Sequence, residues 1–320
     1  MVAMRLAAAL VFAFAVVLAG SSSARADCAT RTAYGKGIVF VTDREPLADD
    51  RIFGGERAHG DPDGAMTTGT LSAPRRAATR GCISALAYYR AIQQRFVRGH
   101  GRRVLVYVHG YYTSFVHAAS DALALAQGTH FPGAVVLFSW PATVTAKPAY
   151  GVETRNAAWA AAHFAAFLQD LERHFPRTAV SFVGNGVGAR FASAGIGVVR
   201  GRDCPRCFER AIFIAPEIAP DMLRTKLQAT HLCSQRSPAT HGAAAVTIYV
   251  RASRVRTSCA DVDTIAVEAA AFVAADGRSP ILTPRIARDA REALAGTAAT
   301  APARRLLHAR GRATYVLVRR

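Results

Sequence analysis

Residues 182–191 read F-V-G-N-G-V-G-A-R-F, in which an apolar run enters a glycine-rich turn and a helix-compatible segment follows. Gly184, Gly186 and Gly188 have the spacing of the G-x-S-x-G elbow, where a strand turns sharply into a helix and presents one residue at the carboxyl edge of a sheet. Glycines flank such a turn because larger side chains would clash in it. The stretch therefore predicts a strand–turn–helix corner with Gly186 at the position of a nucleophile.

The same glycine spacing also fits a loop that binds a dinucleotide or a phosphate. That alternative is disfavoured because this is not the first strand-to-helix turn of the chain. In addition, no acidic residue follows at the distance that ribose recognition requires. The corner is therefore interpreted as hydrolase-like, and no cofactor is expected.

Strand-like and helix-like segments alternate on both sides of this corner. The predicted strands are 38–42, 66–72, 104–108, 134–138, 179–183, 211–214, 246–250 and 264–267. The predicted helices are 79–97, 115–126, 154–175, 187–199, 220–229 and 284–295. Strands that are apolar on both faces and separated by helices indicate a mostly parallel sheet covered on both faces. The predicted fold class is α/β, with two extra strands at the N-terminal edge and a short edge strand at Ala313–Val318.

Two further segments carry a resemblance to a known family. Val104–Phe115 reads V-L-V-Y-V-H-G-Y-Y-T-S-F, and Val136–Pro141 reads V-L-F-S-W-P. Together with the corner, they resemble a bacterial α/β-hydrolase family of unknown function, whose members carry a His-Gly-Tyr-Asn-Thr-Ser-Phe turn, a Phe-Ser-Trp-Pro strand and an Ala-His-Ser-Met-Gly-Asn-Arg elbow. The segments Phe40–Arg44, Phe53–Arg57 and Ala215–Ile218 also match, as does the late strand Val246–Tyr249. The resemblance spans about residues 38–295 and implies the α/β-hydrolase fold.

The resemblance also implies which residues would form an oxyanion hole. In α/β-hydrolases a strand that ends in His-Gly places one backbone N–H group, and the residue after the nucleophile supplies another. Here His109, Gly110 and Tyr111 occupy the first turn, and Val187 follows the elbow. These four residues are the expected oxyanion-hole-like positions.

The departures from the family affect every residue of its catalytic triad. The serine of the elbow is Gly186, the acid that follows the late strand is Arg254, and the histidine near the end is Arg278. Acyl transfer needs an attacking oxygen, a base and an acid that orients the base. Glycine has no side chain to attack with, and arginine stays protonated at physiological pH. The chain is therefore predicted to be a pseudo-hydrolase with no catalytic residues.

The remaining groups suggest an anion-binding site. The N–H groups near Tyr111 and Val187 and the positive end of the helix after the elbow favour negative charge. With Arg254 and Arg278 at the same mouth, the predicted ligand is a small carboxylate or phosphate. Two alternatives stay open. Arginine could have accumulated at both positions after activity was lost, or a rewired set of residues could still hydrolyse esters.

The first 26 residues have the pattern of a secretory signal. Arg5 precedes an apolar run from Leu6 to Gly20, and Ala24-Arg25-Ala26 has the form of a cleavage site. The run is shorter than the roughly 20 residues that span a bilayer. The chain is therefore expected to be periplasmic or secreted in a bacterium, without a transmembrane span once the signal is removed. The predicted organisation is a signal at 1–26, an α/β-hydrolase-like domain at 27–300 and a basic tail at 301–320.

All six cysteines lie in the part that would be exported, where disulfides form. The candidates are Cys28, Cys82, Cys204, Cys207, Cys233 and Cys259. The preferred pairing is Cys28 with Cys82, with the other four bonded among themselves. A zinc site built on Cys204 and Cys207 with His231, Cys233 or His241 is a weaker alternative, and no metal is expected because a second regularly spaced cysteine pair is absent from the sequence.

The chain carries a formal net charge of +18. Such a charge favours anionic partners, here components of the cell envelope. The alternative is that these are ordinary solvated arginines. They are scattered rather than interleaved with aromatic residues, so no specific nucleic-acid site is predicted.

Overall fold

In the computed structural model, the described residues are 38–46, 53–57, 66–71, 85–99, 101–143, 150–200, 207–233, 245–251, 259, 262–267, 283–304, 307–309 and 314–317. The predicted signal at 1–26 lies outside them. None of the described helices is long and apolar enough to cross a membrane.

The described strands form a ten-stranded sheet and a separate two-stranded sheet. The strands are β1 (Ile38–Thr42), β2 (Arg44–Pro46), β3 (Phe53–Arg57), β4 (Thr67–Leu71), β5 (Arg103–Val108), β6 (Ala134–Ser139), β7 (Ala179–Asn185), β8 (Phe208–Ile214), β9 (Val246–Arg251), β10 (Val262–Val267), β11 (Leu307–Ala309) and β12 (Thr314–Leu317). The order in the large sheet is β11-β12-β10-β9-β8-β7-β5-β6-β1-β4. Only the pairs at its two ends, β1 with β4 and β11 with β12, are antiparallel.

The central strands are buried on both faces, as a parallel sheet requires. Every residue of β6 is buried, and β5 is buried from its second residue onward. The helices that cover the sheet are α1 (Ala85–Arg98), α2 (Phe115–Thr129), α3 (Tyr150–His174), α4 (Gly188–Arg200), α5 (Pro220–Ala229) and α6 (Pro284–Leu294). Buried residues of α2 and α6 pack in one apolar core, and those of α1, α3, α4 and α5 pack in the other. The predicted α/β class, with helices on both faces, is confirmed.

The extra N-terminal strands are also present. β1 pairs with β4 in antiparallel register, as the hairpin-like start predicted, and it also pairs with β6 in parallel register. Between them the chain forms the small sheet of β2 and β3, which the sequence pattern did not predict. This small sheet brings Arg44 to the carboxyl edge of the large sheet, where Ser139 ends β6.

The C-terminal stretch contributes to the sheet and to a buried ionic cluster. The strand expected at Ala313–Val318 is present as β12, but β11 is the outer strand of that pair. Arg304 is 3% exposed and binds both carboxylate oxygens of Asp289 at 2.7 and 2.8 Å. Tyr249 donates to the same carboxylate at 2.6 Å, and Asp263 lies 3.5 Å from Arg304. These contacts connect the end of the chain to β9, β10 and α6.

Three of the six cysteines can be placed. Cys233 and Cys259 form a disulfide, with their Cα atoms 4.7 Å apart, and both belong to the group expected to pair within residues 204–259. Cys207 is also disulfide-bonded, and its partner lies outside the described residues. Because Cys207 and Cys233 are both oxidised, neither can be the thiolate ligand that the alternative zinc site requires. Cys28, Cys82 and Cys204 lie outside the described residues.

The ionic cluster predicts how stability depends on pH. Desolvation raises the pKa of Asp263 to about 6, with Arg304 opposing and Asp289 adding to the shift. The pKa of Asp263 is higher in the folded protein than in the unfolded chain. Asp263 therefore makes its full contribution to the free energy of unfolding at low pH, and this contribution is lost as the pH rises through about 6. We therefore compare the free energy of unfolding of Asp263→Asn with that of wild type. The change should be more favourable at pH 8 than at pH 4.5, by at most about 3 kcal/mol. Urea unfolding at both pH values measures this difference.

The exposed carboxylate of Asp221, in the first turn of α5, provides the control. Asp221→Asn, which changes a carboxylate outside the buried ionic cluster, is measured at both pH values for comparison. If Asp263→Asn shows the same effect at pH 4.5 and pH 8, the buried carboxyl group does not carry the predicted cost.

Candidate functional site

The candidate site lies where the direction of the sheet reverses. β5 pairs with β6 on one side and with β7 on the other, and the chain visits β6 before it returns to β7. In open α/β sheets, ligands bind in the crevice at the carboxyl ends of strands at such a switch point. The turn after β5 starts with His109-Gly110, and the turn after β7 starts with Gly186. The tertiary structure therefore brings together the two turns that the sequence singled out.

The outer glycines of the elbow are required by close packing of backbone. A Cβ atom on Gly184 would lie 2.6 Å from the backbone nitrogen of Ala189, in the first turn of α4. A Cβ atom on Gly188 would overlap the carbonyl oxygen of Val108 at the end of β5. Both contacts involve backbone atoms that cannot move aside easily. The two glycines therefore fix how sharply the chain turns and how closely α4 approaches β5.

Gly186, between them, has the left-handed backbone conformation of an elbow, with φ of +53°. Its N–H donates to the carbonyl of Ile214 at 2.9 Å, and its carbonyl accepts from the N–H of Glu217 at 3.0 Å. A Cβ atom on Gly186 would lie 3.7 Å from the Cα atom of Gly110, so it would face the turn after β5. The elbow thus keeps its geometry although no side chain projects from it.

A carboxyl group lies beside the position of the absent nucleophile. Oε1 of Glu217 is 3.2 Å from the place where a Cβ atom on Gly186 would be. Desolvation raises the pKa of Glu217, and the guanidinium group of Arg190 partly offsets this shift. Two hydrogen bonds hold the backbone of Glu217. Its N–H donates to the carbonyl of Gly186 at 3.0 Å, and its carbonyl accepts from Nε of Arg190 at 2.6 Å.

Glu217 shortly precedes α5 but does not cap that helix. The N-cap residue of that helix is Ala219, and no side chain caps it. Ala215, the residue after β8, has a φ of +44°, a conformation that is uncommon for a residue other than glycine. This turn directs the following residues back toward the elbow, so that Glu217 faces Gly186 instead of the helix end.

Val187 provides the N–H group expected of an oxyanion hole. Within the described part of the chain, no backbone carbonyl or side chain accepts a hydrogen bond from it. α4 starts at the next residue and is 13 residues long, so the positive end of its helix dipole lies at the elbow. Gly110, in the turn after β5, lies close to the elbow. A Cβ atom added to Gly110 would be 3.3 Å from the carbonyl oxygen of Asn185, which directly precedes Gly186.

The turn after β5 is held by residues of α3. The N–H of Tyr112 donates to Oε2 of Glu153 at 3.3 Å, and the other carboxylate oxygen of Glu153 accepts from the N–H and hydroxyl of Thr143. Glu153 is fully buried in the first turn of α3. Tyr111 is buried and its ring contacts Trp140, whereas Tyr112 is 41% exposed and has a φ of +54°. Asparagine, which the resembled family has at this position, adopts such a conformation more readily than tyrosine.

His109 is a buried structural residue at this site. Its side chain is inaccessible to solvent and stacks on the ring of Trp140 at a centroid distance of 5.2 Å. Burial, followed by the charge of Arg44, holds its pKa well below the usual value. Nδ1 of the neutral ring donates to the carbonyl of Gly110 at 2.8 Å, and Nε2 accepts from Arg44 at 3.1 Å. His109 is therefore engaged on both ring nitrogens.

Arg44 connects all the segments that support the turn after β5. Its side chain is buried, and each of its five N–H bonds has an acceptor. The acceptors are Oγ of Ser139, the carbonyls of Gly54, Ala142 and Thr113, and Nε2 of His109. Burial lowers the pKa of Arg44 to about 9, and Asp43 and Glu153 oppose the shift. The guanidinium group therefore remains charged at neutral pH.

Three serines lie close enough to the carboxyl edge or centre of the sheet to be candidates for a replacement nucleophile, and each has a structural role. Oγ of Ser114 caps α2 by accepting from the N–H of His117 at 3.2 Å. Ser139 is fully buried and binds Arg44, and Ser181 is fully buried within β7. Arg254 and Arg278, which are expected at the positions of the family's acid and base, lie outside the described residues. Among the described residues, no group of three His, Cys, Asp or Glu residues could hold a metal ion.

Comparison with known families agrees with this geometry. A model of the family described as "Alpha/beta hydrolase of unknown function" (DUF900) matches residues 85–255, which is more than half of the chain. The chain belongs to the DUF900 family. The match includes the turn after β5, the elbow and the turn after β8. The family and the observed sheet together establish an α/β-hydrolase fold.

Two further comparisons add little to the family assignment. The solved structure of an acetylxylan esterase is similar to this DUF900 protein with 12% sequence identity and a TM-score of 0.28, over 51% of this chain and 80% of the esterase. No match was found among curated proteins.

Three residues of the site were not identified as functional from the sequence: Arg44, Glu153 and Glu217. Arg44 ends a segment that resembles the family, and the pair Asp43-Arg44 directly after the apolar strand β1 is a sequence signal for buried charged groups. Glu153 and Glu217 reach the site from a helix start and from a loop. Their contacts depend on where α3 and β8 lie next to β5 and β7, and sequence spacing alone does not contain that information.

The steric requirement at the elbow gives a prediction about two alanine variants. Gly188→Ala should prevent correct folding or cost several kcal/mol, because the new Cβ atom meets backbone of β5. Gly186→Ala should cost only about 1–2 kcal/mol, since its Cβ atom meets the end of the Glu217 side chain and the cost comes from the left-handed backbone. Urea unfolding of both variants compares them. Equal costs would mean that α4 can move away from β5.

The buried guanidinium group gives a second prediction. Arg44→Lys should destabilise the protein by at least about 3 kcal/mol, because lysine has three donors for five acceptors, three of which are in fully buried contacts. The matched control is Arg57→Lys. Arg57 makes one side-chain hydrogen bond, to Asn156, and lies over the ring of Trp159, so we expect a loss of about 1 kcal/mol or less. Thermal and urea unfolding report both changes, and similar losses would contradict the central role of Arg44.

Proposed function

We propose that this protein is an exported pseudo-hydrolase that binds a small anionic ligand at its empty elbow. The observation that carries the proposal is Gly186, which keeps the backbone conformation of a nucleophile elbow without a nucleophile. An elbow that is preserved in shape but lacks its reactive group suits ligand binding better than turnover. The proposed ligand class is a small carboxylate or phosphate.

The surroundings of the elbow support the loss of serine-type catalysis. The nucleophile cannot come from Ser114, Ser139 or Ser181, which are engaged in a helix cap, with Arg44 and within a buried strand. His109 is neutral and uses both ring nitrogens for structural hydrogen bonds, so it has no free position to act as a base. A rewired serine hydrolase therefore remains the less favoured alternative.

The same surroundings support an affinity for anions. The N–H of Val187 and the positive end of α4 face the site, and Gly110 allows a ligand to approach the turn closely. We assign Arg254 and Arg278 to the mouth of the site by their correspondence to the family's acid and base. The Cys233–Cys259 disulfide is compatible with export to an oxidising compartment. Binding to anionic envelope polymers is an alternative that rests on net charge alone.

Labelling and calorimetry test this proposal. The wild-type protein should not be labelled by a fluorophosphonate probe and should not hydrolyse aryl esters of short or long chain. It should bind sodium butyrate or inorganic phosphate in a titration, and Arg254→Ala should weaken that binding at least about tenfold because one charged hydrogen-bond donor is lost.

Arg173→Ala is the control for net charge. Arg173 lies in the last turn of α3, at the opposite edge of the sheet from the elbow, and its side chain is mostly exposed. The Arg173→Ala variant should bind butyrate and phosphate with the same affinity as wild type. Stoichiometric labelling of any serine would overturn the loss of catalysis, and equal binding by wild type and Arg254→Ala would overturn the anion site.

A further inference from the structure

We infer that the amino edge of the large sheet, opposite the elbow, binds a linear polymer of phosphate groups. This edge consists of the starts of β5, β7 and β8 and the ends of the helices next to them. The inference is independent of the function proposed for the elbow. It depends on two observations: arginines that are scattered in the sequence gather at this edge, and a cleft opens beside them.

Arginines lie where helices end and strands start at the amino edge. Each of the helices α1, α3 and α4 leads into the next strand of the sheet, so its last turn lies near the start of that strand. The arginines of the helix ends are Arg95 and Arg98 on α1, Arg173 on α3, Arg200 on α4 and Arg291 on α6. Those next to strand starts are Arg102, Arg103, Arg177 and Arg210. The order of the strands, rather than the sequence, brings these residues together.

The strand starts that carry these arginines are adjacent. β7 lies between β5 and β8, and neighbouring strands are about 5 Å apart, so the row from β5 to β8 spans about 10 Å. The N–H of Ala179, at the start of β7, donates to the carbonyl of Arg102 at 2.9 Å. Desolvation lowers the pKa of Arg210, Glu209 opposes this shift, and the charge of Arg103 adds to it. Arg103 and Arg210 are therefore close enough to repel each other.

The ends of α1 and α3 extend the row on one face of the sheet. The rings of Phe96 and Phe175 are in contact, with centroids 5.1 Å apart, and they connect the last turn of α1 with the residue after α3. Desolvation lowers the pKa of Arg95, and the charge of Arg98 adds to this shift. The positive charges at this edge are therefore near one another as well as on the same side of the molecule.

Carboxylates neutralise only part of this charge. Ion pairs join Arg103 to Glu209, Arg173 to Asp170 and Arg291 to Glu292. Arg98, Arg102 and Arg177 are exposed, and their side chains make no hydrogen bond or ion pair within the described part of the chain. These three guanidinium groups are available to bind a partner.

The helix dipole does not explain the gathered charge by itself. An arginine in the last turn of a helix interacts favourably with the negative end of the helix dipole. Arg102, Arg177 and Arg210 lie outside the helices, so this interaction does not account for them. Because like charges repel, their concentration at one edge favours the binding of an anionic partner there.

A cleft beside the row suits a chain-like partner. The cleft has a volume of about 500 Å³ and lies between the ends of α2 and α6. Its walls include Arg103, Phe131 and Arg291, and the guanidinium group of Arg103 lies over the ring of Phe131 at 5.5 Å. The planar guanidinium group of arginine forms paired hydrogen bonds with phosphate. A chain of closely spaced phosphates can therefore follow the row and enter the cleft.

Two other anionic partners fit this edge less well. Basic surfaces that bind membranes also expose apolar side chains, and Val97 is the large apolar residue that is exposed at this edge among the described residues. Single-stranded nucleic acids stack their bases on aromatic side chains. The phenylalanines at this edge are at most 9% exposed, and they are Phe96, Phe131, Phe175 and Phe208. A phosphate chain without bases is therefore favoured.

Titration calorimetry with long-chain sodium polyphosphate tests the inference, using the purified protein at about 50 and about 200 mM salt. The variant Arg102→Gln/Arg177→Gln removes two charges from the row. We expect it to bind polyphosphate at least about tenfold more weakly than wild type, and the slope of log K against log salt should be shallower by about 1, since this slope follows the number of phosphate contacts.

The matched control is Arg155→Gln/Arg224→Gln, which removes two exposed charges of α3 and α5 outside this edge. The control should bind polyphosphate within about twofold of wild type, because long-range effects of net charge are screened at these salt concentrations. Urea unfolding should give wild-type stability for both variants, since all four side chains are exposed. If Arg102→Gln/Arg177→Gln is destabilised, the two single variants are measured instead.

Several outcomes would overturn the inference. Absence of polyphosphate binding, or equal losses in the two double variants, would mean that no surface specific to this edge exists. Alginate binding as tightly as polyphosphate would mean that phosphate is not the recognised group. Tighter binding of an oligothymidylate of equal charge, or of phosphatidylglycerol vesicles, would assign the edge to nucleic acid or to membranes. Butyrate binding tests the elbow separately, so either proposal can fail without the other.

Discussion

The guanidinium group of Arg44 is buried, and each of its five N–H bonds has an acceptor within 3.1 Å. These acceptors belong to the small sheet, the end of β6 and the turn after β5, so one side chain connects three segments that are distant in sequence. A buried charge is tolerated only when its hydrogen bonds are complete. Arg44 therefore ties the position of the turn near the elbow to the correct assembly of the N-terminal strands, and His109 serves as one of its acceptors rather than as a base.

The elbow itself is stabilised by packing that does not depend on a nucleophile. Gly184 and Gly188 allow α4 to approach β5 at backbone contact, and the hydrogen bonds of Gly186 to Ile214 and Glu217 hold its left-handed conformation. A residue with a side chain is strained at the positive φ of this position, whereas glycine adopts that conformation without strain. Glycine at position 186 therefore avoids the strain that a larger residue would have in this left-handed turn.

Much of the architecture could be predicted because it follows from local patterns. The apolar runs of β5, β6 and β7 and the helix at Pro220–Ala229 are where the sequence indicates them. The glycine spacing placed the elbow, and the His-Gly pair placed the facing turn. The contact of Glu217 with the elbow could not be predicted, because a carboxylate shortly before a helix is equally compatible with a favourable charge at the helix N-terminus. The φ of +44° at Ala215, which turns Glu217 toward Gly186, has no signal in the sequence.

The sequence by itself determined the α/β class, the corner at Gly186 and the absence of a serine there, because each depends on residue type and spacing over a few positions. Only the tertiary structure decided which groups surround that corner. Arg44, Glu153 and Glu217 come from separate parts of the chain, and they meet because parallel strands bring their carboxyl ends to one edge of the sheet. Contacts between distant segments depend on strand order and side-chain direction, which no short stretch of sequence specifies.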